Sequence, residues 1–464
     1  MAKFARRRLL TIGHSYCVDV NRRLAHAIAR QGDWDVTVVG PAHFRGDFGW
    51  HTLRPDPSEP CAVVPVPVHF SRRVQTLLYG RRLVELLKES WDLVHCWEEP
   101  YVAAAAQVAC AASRDVPLVF ATFQNITKRY PPPFNWIERY AMSRADGVIA
   151  FGQTVFDVVA PRARRNIPMR VIPPGVDIEQ FSPDAQARAR MFARYGWSDG
   201  PPVVGFVGRL VPEKGCLLLA AVLDQLTVPW RAVFVGSGGL EAELRRWSLR
   251  YGDRVRIETH VSHDEVAQHL GAMDVLCAPS QTTGAWREQF GRMLIEAFAC
   301  GVPVLASDSG EIPYVVGNAG MVVSESDRAA WVHALSGLLS DPGRRADLAE
   351  RGRRRAVASF SWPVVARQHA EFFDHVIGSR QRATSGLSAP NQEQNAERGA
   401  RLARHDDREY REYLREEPRS QPGCPAREPA LDRRGLVTDA AAAAIVSKTA
   451  RAGRGPAPLD ETRS

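Results

Sequence analysis

The stretch WREQFGRMLIEAFACGVPVLASDSGEIP, from Trp286 to Pro313, places two glutamates, Glu288 and Glu296, around a run of apolar residues. A solvated helix would carry more charge than this, and a helix sunk in a core would carry none. A helix is expected to begin near Phe290–Gly291 and to run to about Ala299. Glu288 then lies just ahead of its N-terminus and Glu296 in its second turn. First-turn N–H groups have no acceptor within their own helix, so those of Phe290, Gly291, Arg292, Met293 and Leu294 are placed to meet an anion. Glu296 is flanked by Leu294, Ile295, Ala297 and Phe298. That setting suits a buried carboxylate, which needs a partner such as the vicinal hydroxyls of a ribose. The plainer alternative makes Glu288 a helix-start carboxylate favoured by the dipole and Glu296 a solvated residue.

Around this stretch the second half of the chain alternates strands and helices. PVVGFVG, WRAVFVG, RVRIE, MDVLCAPS and VPVLASDSG are β-branched apolar runs with helical patterns between them. The first half has the same rhythm in RRLLTIG, WDVTVVG, DLVHC, PLVFAT and DGVIAF. Such alternation predicts βαβ units and parallel sheets. The expected architecture is α/β, with two doubly wound Rossmann-like domains facing a central cleft. The first covers residues 1–170 and is closed by a helix over 361–378. A proline-rich linker spans 171–199 and the second domain 200–360. Residues 380–464 are rich in Arg, Glu, Gln, Pro, Ala and Gly. They hold too few large apolar side chains to offset ordering entropy, so a disordered tail is expected there.

VVGFVGRLVPEKG (Val203–Gly215) joins a strand to a glycine turn at Gly208, followed by Arg209 and Lys214. Glycines let backbone amides approach an anion, and two cations beside them suit a diphosphate. A basic surface loop is the alternative. The charge of +8 admits nucleic acid, an anionic membrane surface or a phosphorylated small molecule as partner. The absence of zinc-finger spacing and of an aromatic RNA-binding signature argues against nucleic acid. The eight cysteines are scattered without a C-x-x-C pair, and Cys110, Cys277 and Cys300 sit among apolar residues. They read as reduced core thiols of a cytoplasmic protein. DWD (Asp33–Asp35) has the form of a manganese-binding Asp-x-Asp, but its place before a strand reads as a turn. His14 and Ser15 follow the first strand and could line the cleft; Glu98–Pro100 reads as a helix start.

WREQFGRMLIEAFACGVPVLASDSGEIP, preceded by GRLVPEKG, resembles the Glu-x7-Glu signature of retaining, nucleotide-sugar-dependent glycosyltransferases of family four, which have the GT-B fold. WDLVHCWEEP, RADGVIAF, VIPPGVDIEQFSP, VFVGSGGLEAEL, DVLCAPS and FSWPVVARQHAEFF agree with it in order. The resemblance covers roughly residues 8–377. It implies that Arg209 and Lys214 hold the donor diphosphate, Glu296 binds the ribose and Glu288 contacts the donor sugar. The backbone at Phe290 to Leu294 would line sugar and phosphate, and Gly13 would face the phosphate from the first domain. It implies no metal and no cofactor beyond the nucleotide-diphosphate sugar itself. The acceptor would be a saccharide, a lipid-linked or a small molecule, met in the cytoplasm or at the inner face of the membrane through a peripheral contact. Two departures stand out. Many members carry a histidine at a T-x-H-D-like site where this chain has Gln124 and Asn125, kept as acceptor- or sugar-side residues. Thr259 and His260 occupy a turn where many relatives have glycine, so the base cannot be assigned. A nucleotide-sugar epimerase on the same fold and a non-catalytic sugar-nucleotide-binding protein remain the alternatives.

Overall fold

The computed structural model describes residues 6–46, 49–163 and 165–385. Seven strands form the first sheet: β1 (Arg7–Ile12), β2 (Trp34–Pro41), β3 (Ala62–Val66), β4 (Leu93–Cys96), β5 (Leu118–Thr122), β6 (Gly147–Ala150) and β7 (Met169–Val171). All pair in parallel, in the order β7-β6-β5-β4-β1-β2-β3. Side chains alternate between its faces. Leu10 and Ile12 enter one apolar cluster while Leu9 enters the other. With helices on both sides the sheet is buried on both faces, which is why β4 and β5 read as unbroken apolar runs.

The second sheet comprises β8 (Val203–Val207), β9 (Arg231–Val235), β10 (Val255–Glu258), β11 (Val275–Ala278), β12 (Val304–Ser307) and β13 (Met321–Val323). It too is parallel, in the order β10-β9-β8-β11-β12-β13. In each sheet the order reverses at one point, between β1 and β4 and between β8 and β11. Loops leaving the carboxyl ends of strands at such a point leave a crevice between them. The loops after β1 and β8 are those carrying Gly13 and Gly208.

Three features differ from the expectations or add to them. Short strands at Ala62–Val66, Met169–Val171 and Met321–Val323 extend the sheets, and two antiparallel hairpins (His43–Gly46 with Gly49–Thr52, Val68–His69 with Leu78–Tyr79) decorate the first domain. The stretch read as linker contains a helix (Ala187–Tyr195) whose Met191, Phe192 and Tyr195 sit in the second domain's core. The last helix (Trp362–Ser385) runs past 378. Arg380, expected in the tail, pairs with Asp146 at 2.6 Å. The rest of the predicted tail lies outside the described residues.

That last helix returns to the first domain, as expected. Phe372, Phe373 and Val376 pack with Leu9 and Trp34. The two chain crossings between the domains are bonded to each other: Val176 N donates to Phe360 O (2.7 Å) and Trp362 N to Val176 O (3.3 Å). No helix of the described residues is long and apolar enough to cross a membrane.

Candidate functional site

The helix of the Glu-x7-Glu stretch, Arg292–Ala299, begins at Gly291, which adopts φ +82°. Glycine takes this left-handed conformation without the cost a side chain incurs there. The N–H groups of Phe290, Gly291, Arg292 and Met293 make no hydrogen bond to another described residue, whereas Leu294 N donates to Gly291 O at 2.9 Å. Four unused amides therefore point from one helix end. Leu294 is buried in the second core and Phe290 packs edge-on to Phe360, so side-chain packing holds this turn in place.

Glu288 is 5% exposed. Its Oε2 accepts from Lys214 Nζ (2.6 Å) and Ser280 Oγ (2.9 Å). Lys214 lies over the Trp286 ring at 4.8 Å, so aromatic surface and carboxylate together fix its ammonium. The backbone of Glu288 is clasped from both domains. Asn125 Nδ2 donates to its carbonyl at 2.8 Å, as does Glu311 N at 3.1 Å. Gly310 makes the second contact possible: at φ +59°, a Cβ there would stand 2.0 Å from Glu288 O.

Glu296 is likewise 5% exposed, and its Oε1 accepts from His263 Nε2 at 2.9 Å. The capping box of Ser262 and Glu265 sets the start of the His263–Gly271 helix and so aims His263. Arg209 differs: it is partly exposed and pairs with Glu213 of its own loop at 3.3 Å. Gly208 ends β8, its N–H donating to Val235 O at 3.0 Å. Gly13 lies against Trp97 and Tyr16, where a Cβ would meet both at 3.2 Å.

Gln124 and Asn125 have occupied amides. Gln124 Nε2 donates to Tyr130 Oη (3.0 Å) and its Oε1 accepts from Ile126 N (3.2 Å). Asn125 is buried with its amide on Glu288. His260 adopts φ +59°, a left-handed conformation suited to glycine. Asp33 and Asp35 are exposed and flank the buried Trp34 at the start of β2. Cys110, expected in the core, is exposed, while Cys277 and Cys300 are buried. Burial pushes the Cys300 thiol up to about 12.

Sequence reasoning gave no role to Glu311. It is 3% exposed, and its carboxylate accepts from Gln153 N (2.6 Å), Thr154 N (2.8 Å) and Thr154 Oγ1 (2.5 Å) in the first domain. Burial raises this carboxyl above the usual range, and the three hydrogen bonds offset only part of that. The signal lay in SDSGEIP, where a carboxylate sits beside a glycine and an apolar helix, but its partners come from a distant segment. The trio His26, Glu59 and Cys61, of which Glu59 is half-buried, has the donor types of a metal site. Arg22 already donates to both Glu59 oxygens (3.2 and 2.7 Å) and His26 to one (2.9 Å). That carboxylate is neutralised by an arginine.

A cavity of about 250 Å³ lies between the domains, lined by His14, Asn21, Trp97 and Glu99 on one side and Gln289 and Arg292 on the other. Glu296 and His263 line a smaller neighbouring space that also includes Arg292. Lys214, Glu288 and the unused amides of Phe290 to Met293 thus meet at the start of the Arg292–Ala299 helix, with buried Glu296 further along it.

Comparison with known proteins agrees with this geometry. Residues 19–180 match the family described as Glycosyltransferase Family 4, and residues 187–355 match Glycosyl transferases group 1. The chain is 38% identical over 219 residues to the GDP-mannose-dependent alpha-(1-6)-phosphatidylinositol monomannoside mannosyltransferase of Mycolicibacterium smegmatis, covering 45% of this chain and 57% of that protein. It is 30% identical over 292 residues to a D-inositol 3-phosphate glycosyltransferase of Corynebacterium jeikeium, covering 60% of this chain and 67% of that one. The chain spans about half the length of most of the curated relatives it matches. In fold it is similar to sucrose-phosphate synthase from Thermosynechococcus elongatus, with a TM-score of 0.62, 22% identity and coverage of 81% of this chain and 100% of that one. Anabaena HepE in complex with UDP gives 0.63 at 20% identity, covering 80% and 100%.

Proposed function

Because this chain belongs to the family-four glycosyltransferases of the GT-B fold, we propose that it transfers a hexosyl group from a nucleoside diphosphate donor with retained anomeric configuration. The observation that carries this reading is the grouping of the Lys214–Glu288 pair, the unused amides of Phe290 to Met293 and buried Glu296 around one end of the Arg292–Ala299 helix. In the transfer, the bond between the anomeric carbon and the diphosphate oxygen breaks as the acceptor hydroxyl oxygen bonds to that carbon on the same face. Negative charge collects on the departing diphosphate, whose oxygen takes up the hydroxyl proton. Arg209, Lys214 and the helix-start amides oppose that charge without reorganising. Glu288, held at its backbone from both domains, contacts the donor sugar. Glu296 accepts from the ribose hydroxyls, with Oε1 already set by His263. Arg209 and Lys214 supply the charge that a divalent cation otherwise brings, so transfer is expected to persist in EDTA.

The relatives named for GDP-mannose and for phosphatidylinositol or inositol phosphate acceptors support GDP-mannose and a phosphoinositol-type acceptor as the first pair to assay. Exposed Phe70, with Arg72 and Arg73 beside it in sequence, supports a peripheral contact with an anionic membrane surface at the cytoplasmic side. The deciding experiment incubates the protein with GDP-mannose, UDP-glucose or ADP-glucose and either inositol phosphate or phosphatidylinositol vesicles, and reads the product anomer by NMR. Lys214→Ala and Glu288→Ala are each expected to cut transfer by about 100-fold or more. An epimerised donor formed without acceptor, or donor binding without turnover, would replace this reading with an isomerase or a binding protein.

A further inference from the structure

One wall of the interdomain cavity holds a polar assembly to which the reading above gives no role. His14 opens a single helical turn after β1, and three donors converge on the fully buried carboxylate of Glu98. His14 Nδ1 lies 2.5 Å from Oε2, His14 N donates to Oε1 at 2.6 Å, and Tyr79 Oη donates to Oε1 at 2.9 Å. A carboxylate bonded in this way holds the imidazole in one orientation with Nδ1–H directed at it. Nε2 has no hydrogen bond to another described residue, and the His14 side chain is one-quarter exposed where it lines the cavity. Facing it across the cleft is Arg292. Lys214 and Arg209 are paired with carboxylates, but Arg292 has no carboxylate partner among the described residues. It reaches only Asn21 Oδ1, at 3.4 Å. Ser15 Oγ, on the same wall, is buried without a hydrogen-bond partner.

Resting on the reading above, we propose that His14, oriented by Glu98, and Arg292 form a phosphoryl-binding subsite that spans the two domains. The pair presents an imidazole Nε2–H and a planar guanidinium to one cavity, and phosphate oxygens match both geometries. Asn21 and Ser15 complete the set of donors. At about 250 Å³ the cavity has room for one such group. The phosphoryl group belongs either to the donor diphosphate or to a phosphorylated acceptor. The groups facing His14 are Glu98, Glu99 behind it, Tyr79 on Glu98, and Arg292. Burial draws the imidazole down, but the charge and hydrogen bond of Glu98, with Glu99, more than offset this and leave it raised, which favours the imidazolium and with it an Nε2–H.

The experiment is calorimetric titration of the full chain with GDP and with UDP in one arm. The other arm uses myo-inositol 1-phosphate and inorganic phosphate, added to protein saturated with the tighter nucleotide. His14→Gln, Glu98→Gln and Arg292→Gln are each expected to weaken binding about tenfold in one arm and not the other, and that arm names the source. In wild type the affinity in that arm falls as pH rises through the imidazole's titration, and in His14→Gln this dependence disappears. Glu98→Gln serves where His14→Gln misfolds, and circular dichroism reports folding. Affinities of His14→Gln and Glu98→Gln within twofold of wild type in both arms overturn the subsite. Wild-type protein that binds neither GDP nor UDP overturns instead the glycosyltransferase reading on which it rests.

Discussion

The contact between Glu311 and the first domain sets how tightly the cleft closes, and it can be broken from either side. Glu311→Ala removes the carboxylate. Gly152→Ala leaves it in place but inserts a methyl group where an added Cβ would lie 2.3 Å from Glu311 Cδ. Gly152 has φ −169°, an extended conformation open to any residue, so the second variant perturbs only the contact. Three donors reach the carboxylate. At about 1.5–3 kcal/mol for each hydrogen bond to a charged group, the gross interaction is roughly 5–9 kcal/mol. The raised carboxyl shows that burial works against these bonds and outweighs them in the titration. Taking the net effect as that of one such bond, about 2 kcal/mol, gives roughly a 30-fold shift between closed and open forms. Both variants are therefore expected to scatter X-rays with a larger radius of gyration and to lose up to about 30-fold in kcat/KM. Their thermal unfolding should change little, because each domain keeps its own core. Wild-type scattering and kcat/KM within twofold in both variants would refute the reasoning.

Other outcomes follow from the same contacts. Lys214→Ala strands Glu288, and at this depth the unpaired carboxylate is expected to cost about 3 kcal/mol in urea denaturation, most of it recovered in Lys214→Met/Glu288→Gln; equal losses in the single and double variants would contradict the pairing. Gly310→Ala meets both a left-handed φ of +59° and the Glu288 carbonyl, so transfer is expected to fall by at least 100-fold, against little effect for Gly239→Ala, where a Cβ meets nothing within 4 Å. Burial holds His95 down at about 3 and His369 at about 4. The unfolded chain therefore binds protons below about pH 6.5 that the folded one refuses. Stability is lost as pH falls, by about 2 kcal/mol per histidine at pH 5, less whatever the raised Glu99 and Glu311 return. Denaturant midpoints from pH 7 to 5 measure this slope, and His369→Phe should remove about 2 kcal/mol of the change.

Strand and helix order was legible in the residues because parallel sheets covered on both faces need apolar runs, and helices need a 3.6-residue stripe. Every long run named in the sequence became a strand within three residues of its ends. The short edge strands escaped notice: Ala62–Val66 is half exposed and interrupted by proline. The last helix was cut short at 378 because Arg380 and its neighbours carry no apolar pattern, whereas an ion pair to Asp146 anchors that turn.

The carboxylates at 288 and 296 show where each kind of information ends. Their spacing, the glycine before the helix and the apolar flanks were enough to mark Glu296 as a buried, partnered carboxylate and Glu288 as an acid beside free helix-start amides, because helix geometry is local. Which groups partner them was decided by packing: Lys214 is 74 residues from Glu288 and His263 is 33 from Glu296. Asn125 and Glu311 illustrate the same limit. As letters they read as a sugar-side amide and an unremarked acid, but each spends its hydrogen bonds holding one domain against the other. A side chain's type limits what it can bond, but whether those bonds reach a ligand or the opposite domain depends on which surfaces the fold brings together.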